Sequence, residues 1–150
     1  MDVDRYLARI GCEGARTAVP ETLARLQRAH LFRVPYENFD VFLRREHGLG
    51  VDELYEKIVV RRRGGYCFEL NGLFAALLRA LGFSVDEYFG RWLDDAVEPV
   101  PARRHRVLRV SCADGSAYLA DVGVGQRAPL RPLLYAEGLV QEREGVRYRI

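Results

Sequence analysis

Residues 63–71 read Arg63-Gly64-Gly65-Tyr66-Cys67-Phe68-Glu69-Leu70-Asn71, and an apolar stripe of Leu70, Phe74, Leu77, Leu78 and Leu81 runs on to Gly82. That spacing predicts a helix, with Gly82 placed to stop it. Two glycines ahead of it let the chain turn sharply and leave room for a substrate to approach the backbone. Cys67 then falls in the first helical turn, where unpaired N–H groups and the helix dipole favour a thiolate over a thiol. The same N–H groups suit the oxyanion of a tetrahedral intermediate. Taken alone, a free cysteine is as readily a small buried hydrophobe, so reading Cys67 as a nucleophile depends on finding its base.

Upstream, the pattern is helical. Val3, Tyr6, Leu7 and Ile10 share one face, and Gly11 is placed to end that helix. Pro20 opens a second helix carrying Leu23 and Leu26. Asp52 is expected to cap a third, with Leu54, Tyr55 and Ile58 inward and Arg61-Arg62-Arg63 at its C-terminal end. Arg61 and Arg62 read as a solvated helix end rather than a phosphate site.

Downstream of Gly82 the period changes to that of strands. Residues 85–92 read as a strand, Pro99 and Pro101 mark an irregular connection, and residues 107–112 and 117–122 read as a hairpin. Residues 140–150 suggest two short strands around Glu144-Gly145. Helices followed by strands predict an α+β fold, divided into a helical unit over residues 1–84 and a β unit over residues 85–150.

Composition narrows the function classes. A chain of 150 residues predicts one compact domain, or two small ones sharing a core. A hydrophobic share of 49% with 29% charged residues excludes a disordered chain. The net charge of +2 provides no field for nucleic acid or an anionic membrane. The start Met1-Asp2-Val3-Asp4 lacks a signal peptide's basic residues and apolar run, and no stretch has the length of a membrane span. Three cysteines at unrelated spacings make neither a disulfide framework nor a metal site. A cytoplasmic protein with reduced thiols is expected.

The base is sought among three histidines. His30 follows a helical stretch and His47 lies in a loop between Glu46 and Gly48, so both read as surface or capping residues. His105 starts a strand just after the prolines, and Asp121 lies at the far end of the partner strand. The order Cys67, His105, Asp121 supplies nucleophile, base and orienting carboxylate. Register decides whether the last two meet. A two-residue turn at Asp114-Gly115 would put them on opposite faces. A three-residue loop, Ala113-Asp114-Gly115 with Gly115 left-handed, pairs Cys112 with Ser116 instead. His105 then stands opposite Gly123 and diagonal to Asp121, within reach of a hydrogen bond. The bulged turn is therefore the expectation.

These strings resemble the arylamine N-acetyltransferases: RGGYCFELN around Cys67, RHRVLRV around His105, LADVGVG around Asp121, VPYENFD from Val34, and RYLARIG from Arg5. The resemblance runs over essentially the whole chain. It implies a papain-like core, a helical bundle bearing the cysteine and then a partial β-barrel bearing the other two. It also implies transfer of an acetyl group from acetyl-coenzyme A onto Cys67 and on to an arylamine or arylhydrazine. Glu37 and Arg63 match a structural ion pair that braces the loop ahead of the cysteine. Tyr36 matches an aromatic position of the acceptor pocket, which on its own also reads as a core aromatic, and Val124 stands where a phenylalanine is usual.

The resemblance also implies a third, C-terminal domain that lids the cleft, whereas this sequence ends at Ile150 within the expected barrel. An open barrel edge needs cover, so a homodimer or strand exchange between chains is an expectation. Two alternatives stay open. Amide synthases that close macrocyclic polyketides from a carrier-bound acyl chain resemble the same family, and an inactive remnant that binds without turnover is the other. Cysteine proteolysis shares the triad logic, but none of the strings resembles a peptidase.

Overall fold

The computed structural model describes residues 1–46, 48–91, 101–125 and 128–150. His47, Pro99 and the last residue of the strand expected over 85–92, Trp92, lie outside the described residues. Helix α1, Val3–Ile10, starts where the Asp2 carboxylate accepts from the Arg5 N–H at 3.1 Å and stops at Gly11 with φ +68°. Helix α2, Pro20–Arg33, opens on Pro20, which has no N–H to leave unpaired. A short α3, Phe39–Phe42, has no counterpart in the apolar periodicity. Helix α4, Val51–Tyr55, runs into a single π turn, Glu56–Val60. Helix α5, Cys67–Ala80, carries the reactive segment, and Gly82 follows it at φ +90°.

The third helix begins earlier than expected. Gly50, not Asp52, precedes it, and the Glu53 carboxylate accepts from the Gly50 N–H at 3.3 Å. A glutamate three residues into the helix reaches back to the cap, which frees Asp52 to face the N-terminal ammonium 3.6 Å away.

Strands β1 (Ser84–Gly90), β2 (His105–Ser111), β3 (Ala117–Ala120) and β4 (Leu133–Leu134) form one antiparallel sheet in that order. Strands β5 (Val140–Arg143) and β6 (Val146–Arg149) pair only with each other among the described residues, turning through Glu144 and Gly145 at positive φ. Among the described residues no closed barrel forms. The two-residue β4 is the last strand of that sheet, and no described strand carries the ladder from it back to β1.

Helix α5 is the hub. Leu70, Leu73, Phe74, Leu77 and Leu78 are wholly buried, in one apolar cluster with Leu108 and Val110 of β2, where α5 packs on α4, α1, β1 and β2. One apolar cluster thus crosses the boundary at residues 84 and 85. Each such leucine contributes roughly 1.5–3 kcal/mol by leaving water, which fixes where the helix, and hence Cys67, sits against the sheet.

His30 is a correction to the sequence reading. It is fully buried against the rings of Tyr6 and Phe74, with centroids 6.0 and 5.5 Å away, and neither ring nitrogen has a hydrogen-bond partner among the described residues. It follows Leu23 and Leu26 by seven and four positions, so the helical period turns it inward. Burial, and then the Arg9 charge, push its imidazole down to about 3. The unfolded chain therefore binds a proton near pH 6.5 that the folded chain refuses, and stability falls as pH drops below that value. Asp40 loses its contribution only below the ordinary carboxylate range, so the window from about pH 6.5 to 4.5 isolates His30. Urea unfolding is expected to show a loss of roughly 2–3 kcal/mol across that window, and His30→Leu to flatten it. An equally steep slope in the variant would assign the loss elsewhere.

Candidate active site

The register that brings His105 towards Asp121 is the bulged one. Ser111 pairs with Ala117, Cys112 N–H donates to Ser116 at 2.8 Å, and Gly115 closes the three-residue loop at φ +84°. His105 Nε2 and Asp121 Oδ2 are 2.5 Å apart, and both residues are buried. The Cys67 side chain acts on His105 as well, favouring its charged form. With Nε2 engaged by Asp121, Nδ1 is the ring nitrogen that can serve the sulfur. Cys67 Sγ also lies 3.6 Å from the Arg104 carbonyl.

Burial works against a charged His105, but the hydrogen bond to Asp121, the contact with Cys67 and the charges of both outweigh it and raise the imidazole to about 9. An imidazolium held this way stabilises the fold fully below about pH 6.5, and that stabilisation is lost as pH rises through 9.

Asp121 is clamped by side chains that the sequence motif only partly exposes. Its Oδ1 accepts from Asn71 Nδ2 at 2.9 Å and from the Gly123 N–H at 2.8 Å. Its own N–H donates to Gln27 Oε1 at 3.2 Å. Asn71 is fully buried, gives its second N–H to the Arg106 carbonyl at 2.6 Å, and accepts from the Val122 N–H at 3.0 Å. Asn71 follows Cys67 by four residues and shares its helical face, a signal available in the sequence. Gln27, on α2, has no such signal.

A buried charge network holds the loop ahead of Cys67. Arg63 Nη2 lies 2.8 Å from Glu37 Oε1, and its Nη1 lies 3.0 Å from Asp40 Oδ2. Lys57 joins them with Nζ 2.8 Å from Asp40 and 2.7 Å from Glu69. The hydrogen bond from Lys57, opposed by burial and aided by Arg63, holds Asp40 down to about 2. Burial disfavours the Lys57 charge, but its bonds to Asp40 and Glu69 prevail and raise it above the ordinary range. Lys57 and Asp40 were missed in the sequence. The signal was a lysine three residues after Leu54 and beside Ile58, on a face that is otherwise apolar. Arg61 and Arg62 are exposed, with Arg61 paired to Glu56 at 3.0 Å.

Tyr36 is 48% exposed, so it is not a core aromatic; it lines an apolar cavity of about 380 Å³ with Phe32, Pro35, Val122 and Gly125. Val124 is half-buried, between Gly123 packed on Cys67 and Gly125 packed on Tyr36. Cys12, Cys67 and Cys112 are all unpaired. Among the described residues no helix is long and apolar enough to cross a membrane.

The family model described as N-acetyltransferase matches residues 20–150. An arylamine N-acetyltransferase from Escherichia coli is 39% identical over 148 residues, covering 99% of this chain and 52% of the relative. The chain belongs to the arylamine N-acetyltransferase family. The Mycobacterium marinum arylamine N-acetyltransferase, solved in complex with CoA, superposes with a TM-score of 0.89 at 38% identity, over 99% of this chain and 56% of that one. A proansamycin X synthase from Amycolatopsis mediterranei is 32% identical over 99% of this chain and 58% of its own length. The chain thus spans about half the length of the curated relatives it matches. The α+β core of this family of acyltransferases is the fold described above.

Proposed function

We propose that this chain carries the catalytic core of an acyltransferase that moves an acetyl group from acetyl-coenzyme A to an arylamine or arylhydrazine nitrogen through a Cys67 thioester. The observation that carries this reading is His105, hydrogen-bonded to Asp121 and held charged with the help of a cysteine at the start of α5. The Cys67 thiolate attacks the thioester carbonyl, and first-turn N–H groups of α5 receive the developing oxyanion. Coenzyme A leaves as its thiol, taking the His105 proton. The amine then attacks the acyl-enzyme, neutral His105 takes a proton from its nitrogen, and Cys67 departs as thiolate to restore the ion pair. Exchange between two thioesters is nearly isoenergetic, which suits a cysteine to this donor. Tyr36 and Val124 form the side on which the aromatic acceptor enters.

Intact-protein mass spectrometry after incubation with acetyl-coenzyme A should show one acetyl group, mapping to the Cys67 peptide and removed by an added arylamine. A folded chain that gains no acetyl group would sink acetyl-coenzyme A as donor. The likeness to proansamycin X synthase supports a second reading, a larger acyl chain delivered from a carrier. Acylation by a carrier-mimicking acyl thioester alone would favour it.

A further inference from the structure

We propose that Lys57 is a positioning residue for Cys67, neutralising the buried Glu69 carboxylate and tying together the two flanks of the Gly64-Gly65 loop. The proposal rests on the reading of Cys67 as nucleophile.

The loop is held on two sides. On one, Glu37 N–H donates to the Gly65 carbonyl at 3.0 Å and Gly65 N–H donates to Pro35 at 3.3 Å. A Cβ on Gly64 would run into the Pro35 carbonyl oxygen, so the strands there are in backbone contact. On the other side stands Glu69, 1% exposed, whose Oε2 accepts from the Tyr66 N–H at 3.1 Å. A Cβ on Gly65 would lie 2.7 Å from that same Oε2. Each flank therefore presents a carboxylate, Glu37 on one and Glu69 on the other.

Lys57 is where they converge. Its Nζ is 2.7 Å from Glu69 Oε1, 2.8 Å from Asp40 Oδ2 and 3.8 Å from Glu37 Oε1, with the side chain 12% exposed. Arg63 reaches Glu37 and Asp40. Among the described ion pairs only Lys57 reaches Glu69. Arg45 adds a third cation, 3.8 Å from Asp40, so three carboxylates face three cations. Removing Lys57 leaves three facing two, neither of them paired with Glu69 among the described ion pairs. Glu69 sits in the same helical turn as Cys67, so an uncompensated charge there opposes the thiolate directly. The other groups that interact with the sulfur are His105, backed by Asp121, together with Tyr36 and Tyr66; of these only Tyr66 also feels the Lys57 charge, behind its own burial and the charges of Glu69 and Cys67.

The test is the pH profile of Cys67 alkylation by iodoacetamide, read with thermal stability on Lys57→Met, Lys57→Arg and the double variant Lys57→Met/Glu69→Gln. Lys57→Met should react about tenfold slower near neutral pH and recover in alkali, as one unit of displacement in the profile requires. Lys57→Arg should retain most of the rate. The double variant, with no carboxylate left in the helical turn of Cys67, should return to within about threefold of wild type. A purely structural lysine would lower the melting temperature and leave the profile in place, and that result for a folded Lys57→Met overturns the proposal. Should Lys57→Met fail to fold, the double variant decides, and a folded double variant still tenfold slow also overturns it. If wild-type Cys67 alkylates no faster than buried Cys12 and Cys112, the nucleophile reading itself falls. If wild type is fast and every variant matches it, only Lys57 loses its role.

Discussion

Asp121→Asn should slow Cys67 acylation by about 10⁴-fold while leaving the fold intact. The reason lies in what holds each carboxylate oxygen. Oδ1 faces two donors, Asn71 Nδ2 and the Gly123 N–H, so the carbonyl of the new amide takes that side. Its NH₂ is then aimed at His105 Nε2, which must become an acceptor, and the ring proton moves to Nδ1. The nitrogen facing Cys67 is thereby protonated in the neutral ring, and cannot serve as base. The substitution also removes the principal bond that raises His105 to about 9, leaving burial to push the ring towards neutrality. Acylation rates from mass spectrometry, with an NMR titration of His105, measure both effects. A loss below tenfold, or an unchanged His105 titration, would contradict the mechanism.

Gly123→Ala is expected to cost about 10²-fold in the same reaction, and roughly 1–3 kcal/mol of stability. A Cβ at this position would lie 2.6 Å from Cys67 Cα, 2.9 Å from Cys67 Cβ and 2.8 Å from Asn71 Nδ2. The first of these is backbone, which cannot swing aside as a flexible side chain could. Either the first turn of α5 or the segment bearing Asp121 must move, and both carry reacting groups. A displacement approaching 1 Å is enough for the stated loss. Wild-type acylation in a folded Gly123→Ala chain would show that the site tolerates this separation.

Much of the frame was legible because each decision was local. Helix α5 declared itself through five apolar residues at helical spacing, and Gly115 announced a left-handed loop position that set the β2–β3 register. The failures were cases in which distant residues decided the outcome. Gln27 meets Asp121 across 94 positions, and no periodicity records that contact. The π turn over Glu56–Val60 shifts the helical phase where Lys57 enters the charge network, and a steady 3.6-residue pattern hides it. Asp52 has the stronger capping preference as a single residue, whereas Gly50 and Glu53 cap the helix as a pair. His30 looked polar enough for the surface, yet the apolar face of α2 carries it inside.

The turn at residues 113–115 has a bearing on how this protein can vary. Exposed hairpin turns are ordinarily where chains accept insertions and deletions most freely. This one touches none of the reacting groups, but its length sets the phase of everything beyond it. Losing one residue would slide β3 by one position and carry Asp121 to the opposite face from His105. Side chains can drift there, provided the last residue still accepts a left-handed backbone. The number of residues cannot, so a surface loop with no chemistry of its own is under the constraint usually reserved for an active-site residue.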